Sequence, residues 1–231
     1  NIAIGHNALT ANTTGIKNSA VGENTLATNT TGSGNVSVGH NALYSNTTAN
    51  DNVALGKDSL YTNETGANNT SVGKDAMYNN TASDNTAVGK GALQANTTGT
   101  RHTAVGLSAL ATNTTAIRNT AIGYQALTAN TSGAQNTAVG DIALYTNTTG
   151  ADNTAIGGSA LGANTTGSNN VAVGRLSLDA NTTGDDNIAI GKNALGANTT
   201  GVDSVAIGDS SLLLNTASSN TAVGNSTLSS N

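Results

Sequence analysis

Three histidines, His6, His40 and His102, are the side chains best suited to hold a metal or move a proton. His6 and His40 occupy the same place in a repeating pattern but two repeats apart. In a stacked β architecture that is roughly 9–10 Å, too far for one ion bound at about 2 Å. His102 replaces a repeat Asn, and all three read as solvated histidines. Asp185 and Asp186 are adjacent, yet no Gly-Gly-x-Gly-x-Asp calcium repeat surrounds them, so they read as solvated charges. No Ser/His/Asp grouping, phosphate-cradling glycine loop or pair of carboxylates stands out. The Asn-x-Thr triplets, such as Asn12-Thr13-Thr14, match a glycosylation acceptor formally, but an Asn at that place in every copy reads as structural. No catalytic, cofactor or metal residue is assigned, and the chain is not read as an enzyme.

These residues sit on a repeat that fills the chain. A five-residue element, Asn1-Ile2-Ala3-Ile4-Gly5 at the start, returns at 18, 35, 52, 69, 85, 102, 119, 136, 153, 170, 187, 204 and 220. The step is 17 residues except at 69–84 and 204–219, where it is 16. A short period held over a whole chain marks a solenoid, here a single array over 1–231. Numbered from its Asn, position 4 is Val, Ile or Leu in every copy and position 9 is Leu or Met77. Position 5 is always Gly, and position 12 is always Asn, from Asn12 to Asn231. Disorder does not keep apolar residues in such register.

Positions 1–5 alternate with period 2 and carry β-branched residues, which predicts a strand. The larger residues at positions 2 and 4 are assigned to the inside, giving a core of Val21, Val88, Ile122 and Val139 together with Leu9, Leu127 and Leu144. Gly at position 5 ends the strand. Positions 8–12 are read as a second short strand with Leu inward, and Asn-Thr-Thr-Gly as a turn. One repeat is thus one coil of a narrow, two-stranded parallel β-solenoid of fourteen coils, all-β, each about 4.8 Å above the last. Like residues then form ladders. Position 12 becomes a column of bonding amides through Asn12, Asn29, Asn46, Asn113, Asn130 and Asn147. Position 6 is an exposed corner carrying His6, His40, Lys57, Lys74 and Tyr124, and position 10 is equally free.

Composition limits the alternatives. The 231 residues include no Phe, Trp, Pro or Cys, and only 9% are charged. A thick aromatic core is thereby excluded. The net charge of −5 is scattered, which argues against nucleic acid or anionic lipid as partner. No apolar run approaches the roughly 18 residues of a membrane span. The chain starts and stops inside the repeat, so it reads as a segment of a longer protein. With only three inward side chains per coil, a further buried face is expected. Position 3 is Ala or Ser in every copy, so something lies against it. Either partner chains or a neighbouring layer of the same chain could supply the cover. The first option makes Ala104, Ala121, Ala138 and Ala155 an oligomer interface.

Ser204-Val205-Ala206-Ile207-Gly208 and Asn187-Ile188-Ala189-Ile190-Gly191 closely resemble the head repeat of trimeric autotransporter adhesins of Gram-negative bacteria. The longer unit also resembles repeat arrays of bacterial surface proteins and phage tail-fibre-like proteins. The resemblance covers the whole chain and implies a left-handed parallel β-roll with three rolls packed on a common axis. It favours partner chains against position 3. The departure is length, because adhesin head repeats are shorter and the Asn-Thr-Thr-Gly loop is an addition. The expected function is a structural or adhesive segment of an extracellular fibre on a cell surface or virion tail, a homotrimer contacting a host receptor or glycan. Two alternatives stand beside it: a self-assembling surface filament without a receptor and, ranked last, an ice-binding solenoid.

Overall fold

A computed structural model describes residues 1–229, so Asn231 lies outside the described residues. Fourteen three-residue strands, one per repeat and all parallel, make an all-β solenoid, with no helix among the described residues. Two compact units divide the chain, Asn1–Ala116 and Ile117–Asn231. The first holds the strands from Ile2–Ile4 to Thr103–Val105 and the second those from Thr120–Ile122 to Thr221–Val223.

Within each unit, neighbouring strands pair position for position. Ile2 faces Ser19, Ala3 faces Ala20 and Ile4 faces Val21 in the first; Thr137 faces Thr154 and Ala138 faces Ala155 in the second. Axial hydrogen bonding continues beyond the strands. Asn24 N donates to His6 O at 2.9 Å, Leu26 N to Ala42 O at 3.2 Å and Thr13 N to Thr30 O at 2.9 Å. Turn backbone is therefore satisfied by the next coil, as buried backbone must be.

Each coil has one strand. Positions 8–12, expected as a second, form turns instead: Ala8 N donates to Gly5 O and Asn12 N to Leu9 O. The cause lies in the backbone signs. Position 7 is left-handed in every coil (Asn7 φ 58, Asp58 φ 54), and so is position 9 (Leu127 φ 53, Leu144 φ 52). Alternating left-handed residues cannot continue a pleat. Asn, Asp and Gly favour that region at several position-7 sites, whereas at Ile142 and Leu176 in position 7 and at the Leu of position 9 it is strained and persists only because the surroundings impose it. Leu127 is held by a fully buried side chain and by its N–H bond to Ala143 O at 3.0 Å. Gly at position 5 is required twice over. Gly157 has φ +132, and a Cβ there would lie 2.6 Å from Gly174 O.

The faces of the strand are the reverse of the expectation. Ala104, Ala121, Ala138 and Ala155 at position 3 are 0% exposed within their own chain. They are core, not an oligomer interface. Val21 and Val88 are 37% and Ile122 39% exposed, and Val139 is half-buried, so these four lie on the outer face. Leu9, Leu127 and Leu144 are the large buried side chains. In a three-residue strand only the central side chain points inward, and it lands on the turn carrying positions 8 and 9. Where position 3 is Ser the contact can be measured: Thr25 Oγ1 donates to Ser37 Oγ at 2.6 Å and Ser59 Oγ to Ser71 Oγ at 2.8 Å. Leu fills the interior, and only a methyl or hydroxymethyl fits opposite it. The cover over position 3 is a layer of the same chain.

Candidate functional site: the coil surfaces

Among the described residues there is no pocket, and no group of three His, Cys, Asp or Glu side chains could hold a metal. The coil surfaces are the candidate site.

Asn ladders run along the inside of the loop. Asn29 Nδ2 donates to Asn12 Oδ1 at 2.8 Å, Asn46 to Asn29 at 2.7 Å, Asn113 to Asn96 at 2.8 Å and Asn147 to Asn130 at 2.9 Å. Asn29 and Asn147 also reach the position-15 carbonyls of Gly32 and Gly150, and Asn113 Nδ2 lies 3.2 Å from His102 Nε2. The ladder is interrupted near both short coils, where Asn46 Oδ1, Asn63 Oδ1 and Asn215 Nδ2 are buried without a partner. In the short coil 69–84, Ala82 O takes the bonds that a position-15 carbonyl takes elsewhere, from Asn69 Nδ2 and Asn80 Nδ2. Thr81 keeps the position-13 bond to the next coil, Oγ1 to Thr97 O at 2.9 Å. The missing residue is therefore position 14.

A second column, at position 1, was not recognised as buried in the sequence. Asn18 Oδ1 accepts Asn35 N at 2.9 Å, and Asn18 Nδ2 closes its own coil onto Gly32 O at 2.7 Å. His102 takes this place and is 2% exposed, which corrects its reading as a solvated histidine. Its Nε2 lies 2.7 Å from Ala116 O, so Nε2 carries the hydrogen and does the work of the Asn amide. Position 1 is Asn in all copies but two, His102 and Ser204, and that regularity was the available signal.

On the corner, His6, His40, Lys57, Lys74 and Tyr124 are all exposed. His6 and His40 each lie 4.0 Å from Glu23, Lys57 lies 3.8 Å from Asp58 and Lys74 3.1 Å from Asp75. Such exposed pairs contribute about 0–1 kcal/mol. At position 10, Tyr44, Tyr61 and Tyr78 stack with centroids 5.3 and 5.1 Å apart and planes within 7°. Partial desolvation in the stack, then Tyr78, Tyr44 and Asp58, hold the Tyr61 phenol above its usual range. In the second unit, burial raises Asp179 against the opposing pull of its own and Ala180's backbone N–H.

On the outer strand face position 4 is apolar in every coil, whereas position 2 is Val or Ile in six coils and Thr or Ser in eight. Ile4, Val21, Leu55 and Val88 are 37–60% exposed in the first unit, and Ile122, Ile156, Ile190 and Ile207 are 37–41% exposed in the second. Position 2 adds Val36, Val53 and Ile188 beside them. Comparison with known proteins finds no matching family model, no matching curated protein and no matching solved structure.

Proposed function

We propose that the chain is a structural and adhesive segment of an extracellular fibre, in which copies of the chain pack along the outer strand face and the variable positions 6 and 10 face outward. The observation that carries this is the position-4 stripe. A freely exposed position accepts polar residues, as position 6 does with His, Glu, Lys, Tyr, Asp and Arg. Position 4 accepts only Val, Ile and Leu in fourteen copies, although the chain alone leaves it exposed or half-buried. Contiguous exposed apolar surface of this kind marks an interaction site. The self-repeating geometry favours another copy of the same chain, because its stripe has the same coil rise. The likeness to adhesin head repeats supports three copies, a cell-surface or virion setting, and a host receptor or glycan as the outward contact. Native mass spectrometry tests the assembly: three 22.6 kDa chains are expected. A folded single chain across the micromolar range overturns it.

A further inference from the structure

Position 14 poses a separate question. Every coil that has it carries a hydroxyl there: Thr14, Thr31, Thr48, Thr65, Thr98 and Thr115 in the first unit, and Ser132, Thr149, Thr166, Thr183 and Thr200 in the second. All are exposed, and among the described residues none of their hydroxyls is engaged as the position-13 hydroxyls are. The neighbours differ. Position-13 hydroxyls are engaged, as when Thr148 Oγ1 donates to Thr165 O at 3.0 Å and Thr165 Oγ1 to Thr182 O at 2.9 Å. Position-12 amides are buried in the ladder. Folding accounts for Asn12 and Thr13 but not for the hydroxyl of Thr14.

The substitutions that do occur say which part of the side chain matters. Ser132 keeps the hydroxyl and loses the methyl, so neither β-branching nor an apolar surface is being retained. Solubility alone would admit Asn, Asp or Lys, which are common at other exposed places in this chain. What is retained is an accessible oxygen nucleophile.

We infer that the position-14 hydroxyls are acceptors for O-linked glycosylation by a nucleotide-activated neutral sugar. The Thr Oγ lone pair attacks the anomeric carbon and forms the new C–O bond. The bond from that carbon to the nucleoside diphosphate breaks, and the Thr proton passes to a base of the transferase. A phosphoryl group fits less well. Its charge of about −1.5 to −2, repeated every 4.8 Å or so, would repel its neighbours well inside the Debye length of about 8 Å. A neutral sugar carries no such penalty. The inference does not depend on how copies of the chain assemble, since position 14 lies in the loop and the apolar stripe on the strand.

The test is peptide mapping by electron-transfer mass spectrometry on the protein purified from the cells that naturally make it. The expected result is a mass increment of one or more sugar residues on Thr149 and its equivalents. Thr149→Val, made in the same cells, should lose the increment at that coil with an unchanged circular dichroism spectrum, and Thr149→Ser should keep it. Unmodified position-14 peptides, phosphoryl increments, or sugars on Thr148 and its equivalents instead would each overturn the inference.

Discussion

Residues 121 and 122 are neighbours on one strand, and opposite outcomes are predicted for them. Ile122, Ile156 and Ile190 are 39%, 41% and 38% exposed and lie two coils apart in the second unit. Covering the exposed remainder of each side chain is worth about 0.6–1.2 kcal/mol, or about 2–4 kcal/mol per chain for the three. Replacing all three by Lys removes that gain. It also adds three ammonium groups that a docked copy must desolvate, at several kcal/mol each. The isolated chain should barely notice. A Lys stem covers the apolar surface that the Ile stem covered and keeps its charge in water, and charges two coils, roughly 10 Å, apart are screened. Association should weaken by well over about 30-fold, which is what 2 kcal/mol alone amounts to, while the urea midpoint of the separated chain changes little. Ala121→Lys does the opposite. It drives an unpaired charge into a core with no room for it and should unfold the coil. Sedimentation velocity reads the first effect and circular dichroism in urea the second. If the triple Lys variant assembles as the parent does, the stripe is not the interface. If Ala121→Lys folds normally, the assignment of faces is wrong.

Leu144→Ala should cost about 2–5 kcal/mol in urea unfolding, since it truncates the large, fully buried side chain of its coil. His102→Asn should stay within about 0.5 kcal/mol of the parent because Asn performs the same closure at Asn85, whose Nδ2 lies 2.9 Å from Gly99 O. His102→Val, which removes one donor to the Ala116 carbonyl, should cost about 0.5–1.5 kcal/mol in the same assay. Asp179 has its folded-state value raised by burial, so its favourable contribution is present below the ordinary carboxylate range and is lost as pH rises through the folded value. Asp179→Asn should therefore raise the melting temperature at pH 7 and lose that advantage near pH 3; an equal gain at both pH values would refute the burial argument.

Much of the architecture was legible before any coordinate. The period fixes the coil, and Gly at position 5 marks a corner that only Gly can turn. Leu at position 9 and Asn at position 12 point to the interior because each answers a demand that few residues meet. The strand faces were not legible from side-chain size. Invariance says that a position is constrained without saying from which side. Size alone points Val and Ile at position 4 to the core, but Leu at position 9 already fills the interior. The left-handed backbone at position 9 was equally hidden, since Leu does not favour that region and tertiary packing imposes it. The Asn, Asp, Ser and Gly that fill most of position 7 are, by contrast, a readable sign of a left-handed turn, although Gln125, Ile142 and Leu176 adopt it too.

One pattern in the sequence did carry the missing information. Position 3 departs from Ala only at Ser37 and Ser71, and in both cases position 8 of the preceding coil is a hydroxyl residue, Thr25 and Ser59. A solvated Ser needs no such companion; a buried one does. The companion's position also names the surface that position 3 packs against, which the hydrogen bonds of 2.6 and 2.8 Å then make explicit. Ser177 and Ser211 at position 8 lack a Ser partner and bond to the backbone carbonyls of Gly174 and Ala222 instead, so the dependence runs one way. Each strand-centre hydroxyl donates to a carbonyl of its own coil, Ser37 to Ala42 O at 2.8 Å and Ser71 to Ala76 O at 2.9 Å, and the hydroxyl of the preceding coil fills its acceptor side. In an array of near-identical coils, paired departures of this kind report inside from outside more reliably than the size of the residue that is repeated.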